Sequence, residues 1–264
     1  LKKFDEAYKI LDDVEKTAKT RKDSFEAAFR KGDIYFEDRD YPAAIAKYRE
    51  AIKKYPEAAG EYPNAFFNTA EALYWKQDYR QALNAYREFL QRFPDNKYGG
   101  YAMTRLGESL EILGADPKRS MGAYLEAYFR YRDTPGAAVA RVRTLFMKMP
   151  EMKEKELNAA FEEIDSVTEK LELPNIKEFV TLIESDGQYL RKKYVESYDG
   201  LISFYQMNPN SPEADRFKGR IVRGITAEIQ ENVVQKKFID ALRVYSRFAG
   251  SWLKGNERVD LKVY

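Results

Sequence analysis

A spacing of 38 residues recurs in this chain. Tyr41, Ala44, Tyr48, Ala51 and Pro56 are followed, each 38 positions later, by Tyr79, Ala82, Tyr86, Phe89 and Pro94. Self-similarity at a period of roughly 20–50 residues marks one supersecondary unit that buries its apolar face only by stacking on its neighbours. The chain is therefore expected to be an array of helical hairpins, an architecture whose extended surfaces mostly serve binding.

The copies can be followed along the chain. Phe4, Ala7, Leu11 and Val14 keep the same spacing, so residues 3–20 read as the second helix of a hairpin whose first helix lies outside the chain. A full pair covers 24–54, with helices Phe25–Glu37 and Pro42–Lys54 divided at Asp38-Arg39-Asp40. Pro42 suits a first helical turn, where its missing N–H does no harm. The next pair spans 63–92, turns at Lys76-Gln77-Asp78 and stops at Phe93-Pro94-Asp95. A third covers 98–131, with its turn at Gly114-Ala115-Asp116-Pro117.

Beyond Pro135 the signature fades. Residues 136–149 and 153–172 read as two amphipathic helices divided at Met149-Pro150. The spacing returns in Tyr194, Ser197, Leu201, Phe204 and Pro209, and again in Phe238, Ala241, Tyr245 and Phe248. Val259–Tyr264 read as the start of a further helix. The organisation expected is a single array over 1–264: a partial repeat (1–23), well-matched repeats (24–132), a degenerate one (136–172), divergent ones (176–250) and the opening of another (251–264). Such a chain would be a fragment of a longer protein.

Composition narrows the chemistry. Hydrophobic residues make up 44% and charged residues 33%, too apolar for disorder and enough for a continuous core. The net charge of +2 gives no general attraction to nucleic acid or to a membrane surface. With no Cys and no His, disulfides, Cys nucleophiles, His-based triads and His or Cys metal sites are excluded. No apolar run reaches the roughly 18 residues that a membrane span requires. No cofactor, no metal and no catalytic residue are expected.

The spacing has a geometric cause. Two antiparallel helices approach closely only where one offers a small residue and its neighbour fills the gap with a large one. Gly32, Ala70 and Gly107 supply the small surface on the first helix of successive hairpins, and Ala44, Ala82 and Ser120 on the second. Tyr48, Tyr86 and Tyr124 follow one turn later on the same face.

These residues resemble the tetratricopeptide repeat family. The first full copy reads Gly32, Tyr35, Ala44, Tyr48, Ala51, Pro56, and the second Phe66, Ala70, Leu73, Ala82, Tyr86, Phe89, Pro94. Two departures stand out: Lys31 and Thr69 occupy a position the family usually fills with Leu, and the repeat exceeds the family's by about one turn. The longer form, with Phe93-Pro94 after the second helix, resembles tetratricopeptide proteins of the bacterial cell envelope. That implies the periplasm or envelope rather than the cytoplasm. The resemblance implies an all-α, right-handed α-solenoid of about six hairpins. It also implies a non-enzymatic scaffold for protein or peptide partners, as part of a larger bacterial assembly. The competing reading is a structural spacer or self-association module, with any enzymatic domain elsewhere.

In that family the first helix of each hairpin lines the concave face, where ligands bind. The exposed positions expected there hold an acidic row, Asp33, Glu71 and Glu108, flanked by Phe29, Phe36, Phe67, Tyr74, Trp75 and Tyr101. Such a row suits a partner with Lys or Arg and an apolar anchor. The alternative is that the aromatics pack between repeats and the carboxylates are merely solvated. The Lys and Asn residues with which some family members hold a C-terminal carboxylate are absent from the matching positions.

Two other features are expected to be bland. Glu184 lies in a Glu-Ser context like that of the acid of lytic transglycosylases, but none of their other motifs follows, so it reads as an exposed helix residue. Arg216, Arg220 and Arg223 share a helical face, yet acidic neighbours such as Asp215 and Glu228 make it a solvated surface rather than a phosphate site.

Overall fold

The computed structural model describes residues 2–169, 171, 176–211 and 214–255. Every regular element among them is helical. The expected opening of a further helix at Val259–Tyr264 lies outside the described residues. The stretch read above as one array divides into two compact units, Leu1–Thr144 and Leu145–Tyr264.

The first unit contains α1 (Lys2–Thr17), α2 (Arg21–Glu37), α3 (Tyr41–Lys54), α4 (Pro63–Trp75), α5 (Tyr79–Arg92), α6 (Gly99–Ile112) and α7 (Pro117–Arg130). It also holds most of α8 (Pro135–Lys148). α2 pairs with α3, α4 with α5 and α6 with α7, while α1 packs on α2 as a second helix would. The hairpins stack through α3 on α4 and α5 on α6.

Each hairpin turn is built alike. One residue takes the left-handed conformation: Arg39 (φ 61°), Gln77 (φ 63°) and Gly114 (φ 68°). An aspartate then caps the next helix: Asp40 accepts from the Ala43 N–H at 3.1 Å, Asp78 from Gln81 at 3.2 Å, and Asp116 from Lys118 at 2.9 Å. These caps satisfy donors that the helix itself leaves without partners.

The small-against-large expectation holds within this unit. Ala44, Ala82, Ser120 and Ala70 are fully buried, as are the rings of Tyr48, Tyr86 and Tyr124. A Cβ placed on Gly107 would meet Tyr124 Cε1 at 2.6 Å, and one on Gly32 would collide with Tyr48 Cδ1 and Cε1. The α6 and α8 backbones also meet, because a Cβ on Gly136 would collide with the main chain of Gly100 and Tyr101. The Thr104 hydroxyl bridges there, to the carbonyls of Gly100 at 2.8 Å and Gly136 at 2.9 Å.

Lys31, one of the two departures at a Leu position, is buried in this unit. Its ammonium donates to Asp12 at 2.6 Å and pairs with Glu15 at 2.7 Å, so an ionic clamp fastens α1 to α2. Burial works against the charged ammonium, but the two carboxylates outweigh it and raise its pKa.

The second unit holds α9 (Glu154–Thr168), α10 (Ile176–Leu190), α11 (Tyr194–Met207), α12 (Ala214–Val234) and α13 (Phe238–Phe248). α10 pairs with α11 and α12 with α13. The core gathers Tyr198, Leu201, Phe217, Ile221, Ile225 and Phe248. Its turns keep the left-handed residue, Lys192 (φ 61°) and Lys236 (φ 60°), but put lysines where the aspartate caps stood. Neither Lys193 nor Lys237 makes a side-chain cap.

Candidate partner-binding surface

The carboxylates Asp33, Glu71 and Glu108 each follow the small residue of a first helix. In the first two hairpins the second-helix tyrosine that packs over the small residue therefore ends beside the carboxylate. Tyr48 Oη donates to Asp33 Oδ1 at 2.6 Å, and Tyr86 Oη donates to Glu71. Burial and the neighbouring carboxylates push both phenols above the usual tyrosine range, so both stay protonated donors.

Glu108 departs from the expected exposed position. It is only 3% exposed and sits between two guanidinium groups, Arg105 Nη1 at 2.7 Å and Arg143 Nη2 at 2.9 Å. Burial alone would raise its pKa. The two arginines outweigh burial and hold the carboxyl at about 2. Arg105 also lies 3.5 Å from Glu71, and Tyr74 Oη donates to Glu108 at 3.2 Å. Asp33 is paired as well, with Arg30 at 3.0 Å and Asn64 at 3.0 Å. Each carboxylate of the acidic row is thus engaged by a cation from inside the fold.

The aromatics divide between packing and exposure. Phe29 is fully buried and stacked on Tyr62 at 4.1 Å, contrary to the exposed position expected for it. Phe67 is half-buried and stacked on Tyr98 at 4.8 Å, and half-buried Phe36 meets the edge of Tyr41. Tyr101 is half-buried too. Trp75 differs, with 51% of its surface exposed at the end of α4. It stands edge-on to Tyr74, and the Arg105 guanidinium lies 4.6 Å from the Tyr74 ring and 5.2 Å from the Trp75 ring.

Residues 2–59 and 64–96 each match a family model described as tetratricopeptide repeat. Over those two stretches the chain carries tetratricopeptide repeats. No curated protein matches it. Among solved structures, the apo form of RapI is 13% identical with a TM-score of 0.55, covering 86% of this chain and 69% of that one. At that identity the likeness shows the fold alone. The TPR2AB domain of yeast Sti1, in complex with pHSP90, is 14% identical over 84% of this chain and 88% of that one. Its TM-score of 0.36 carries no argument.

Two further expectations change in the second unit. Glu184, read as an exposed helix residue, is half-buried, and burial with Asp165 nearby raises its carboxyl to about 7. Arg220 and Arg223 do share a face, but both donate to Asp186, with Arg220 Nη2 at 2.8 Å. Arg223 also lies 4.0 Å from the Tyr189 ring. Arg220 and Arg223 thus clamp α12 to α10, while Arg216 and Arg223 remain exposed, as a solvated face would have them. What sequence reasoning missed was Arg105 and Arg143. Their signal was faint: Arg143 lies on α8, about one repeat beyond Glu108, and Arg105, an ordinary i,i+3 neighbour of Glu108, reaches back a repeat to Glu71.

Proposed function

We propose that the repeats of the first unit hold a segment of a protein partner along the face formed by α2, α4 and α6, as a non-enzymatic scaffold. The observation that carries this reading is Trp75. A half-exposed indole, braced by Tyr74 and Arg105, is the kind of rigid aromatic anchor that dominates interface energetics. The paired carboxylates around it fix the anchor's surroundings in place without asking the partner for positive charge. The partner chemistry this supports is an apolar side chain seated against the indole. Membership of a larger bacterial envelope assembly belongs to the same proposal and is supported by the long repeat with its Phe93-Pro94 stop.

Site-specific photo-crosslinking tests it. A photoreactive phenylalanine at position 75 should capture a partner in the native cell that the same group at exposed position 60 does not. The reading fails if position 75 captures nothing, or only what position 60 captures.

Self-association is the second reading, and one observation favours it. Phe238, Ile239 and Leu242 on α13 are 53%, 69% and 57% exposed, whereas Ile45 and Leu83, which correspond to Leu242 in earlier hairpins, are buried. An apolar face that the described residues leave uncovered is of the kind that marks an interaction site. Light scattering of wild type and Leu242→Glu decides it: an oligomer that the variant dissociates supports self-association, and a monomer in both removes it.

A further inference from the structure

On the side of the first unit formed by the second helices, two successive grooves lie open. One, of about 440 Å³, runs between α3 and α5 over Phe66, Thr69 and Leu73 of α4. The next, of about 380 Å³, runs between α5 and α7 over Met103 and Leu106 of α6. The corresponding place between α1 and α3 is closed, because Lys31 takes the position equivalent to Thr69 and Leu106 and is clamped by Asp12 and Glu15. The open grooves therefore have largely apolar floors where their counterpart has an ionic plug.

Their rims carry uncompensated positive charge. Arg49 and Lys53 line the first groove, Arg87 and Arg119 the second, and all four are exposed. None makes an ion pair among the described residues, in a chain where most other groove charges do. The rim carboxylates are already matched within their own helices, Glu88 with Arg92 at 3.0 Å and Glu126 with Arg130 at 3.3 Å. Arg49 and Arg87 occupy the same position of consecutive repeats, so the pattern runs from one groove into the next.

We propose that these two grooves form a second docking surface, for an acidic protein segment. Apolar side chains of the segment enter the floors over Leu73 and Leu106, and its carboxylates meet Arg49, Lys53, Arg87 and Arg119. Charge complementarity of this kind steers association and fixes register. A nucleic acid fits less well: single strands are held by stacking on exposed aromatic faces along a basic channel, and here the floors are largely aliphatic and the rims carry carboxylates. The surface is independent of Trp75, which lies on the first-helix side.

The test is fluorescence anisotropy with the whole chain and a labelled peptide of repeating Glu-Glu-Leu sequence. Binding is expected, weakening as salt rises, and lost with Lys in place of Glu or Ser in place of Leu. The double variant Arg49→Glu with Arg87→Glu should weaken it at least about tenfold, while Trp75→Ala leaves it unchanged. Arg49→Gln with Arg87→Gln keeps the test open if charge reversal disturbs folding, which circular dichroism reports. Absence of peptide binding, affinity indifferent to these variants, or tighter binding of oligothymidylate through the same arginines would each overturn the proposal.

Discussion

The Tyr48 hydroxyl reaches Asp33 at 2.6 Å across the first hairpin, and its ring fills the place a side chain on Gly32 would take. The same arrangement recurs with Tyr86, Ala70 and Glu71 in the next hairpin. One aromatic thus does two things: its ring sets the helix–helix distance, and its hydroxyl engages the carboxylate that the sequence offered as a binding residue. Packing and polar pairing are coupled in these two hairpins, so the tyrosines that make the repeat recognisable also hold Asp33 and Glu71 to the fold.

Glycine replacements should separate close approach from helix propensity. Gly32→Ala gains roughly 1 kcal/mol of propensity, but its Cβ overlaps the Tyr48 ring, and overpacking of this kind costs about 1–3 kcal/mol. Gly122→Ala, in α7 with nothing within 4 Å of the added Cβ, should stabilise by about 0.5–1 kcal/mol. Urea denaturation of the two variants should therefore show opposite shifts, or at least a loss for Gly32 beside a gain for Gly122. A gain at both positions would mean that the Tyr48 ring moves aside freely.

The second unit should accept a cap that the first unit already has. Lys237 has backbone angles (φ −87°, ψ 59°) close to those of Asp78 (φ −85°, ψ 65°), yet makes no side-chain cap. Lys237→Asp should place an acceptor at the start of α13 and stabilise it by about 1 kcal/mol. Slower amide exchange in α13, with α4 and α5 unchanged, is the expected result. Unchanged exchange in α13 would show that the turn cannot present the carboxylate.

Much of this fold was legible because the repeat is a packing rule written in residue size. Gly or Ala opposite Tyr fixes hairpin pairing locally, and Asp before the second helix fixes the turn. In the second unit the spacing returns without the caps: lysines at 193 and 237 stand where Asp40 and Asp78 stood. Exposure was less legible. Phe29 is buried by Tyr62 from the following linker, and Glu108 by Arg143 of α8. Both covers come from about one repeat further along, so a pattern within a single helix carries no trace of them. Trp75 is exposed where it closes its helix, and there no later element is needed to decide its surroundings.

Glu184 should make the second unit's stability depend on pH. Its carboxyl titrates at about 7 in the folded protein, against about 4.3 in an unfolded chain. The folded state therefore holds an extra proton between those values, and stability falls as pH rises through that window. Burial is the main cause and Asp165 the second. Glu184→Gln removes the titrating group, so the difference in melting temperature between variant and wild type should grow from pH 5 to pH 8, with the variant the more stable at the upper end. A difference that stays constant across that range would place Glu184 in water.

Trp75 is the residue that separates binding from stability. Glu71→Lys would be a poor probe, since Glu71 accepts from the Tyr86 hydroxyl and lies near Arg105. Tyr74→Ala would also damage the fold, because the hydroxyl reaches Glu108 and the ring supports Arg105. Trp75 is 51% exposed, so truncation removes the anchor and leaves the buried pairs around Glu108 intact. Exposed substitutions usually change stability by within about 0.5 kcal/mol, and a true hot spot costs about 2 kcal/mol or more of binding when truncated. Trp75→Ala should therefore melt close to wild type yet bind the crosslinked partner about 30-fold more weakly, the ratio that 2 kcal/mol represents. Calorimetric titration and a melting curve on the same preparation measure both. If the partner binds the variant as tightly as wild type, the first-helix face is not where it docks, and the groove side becomes the place to look.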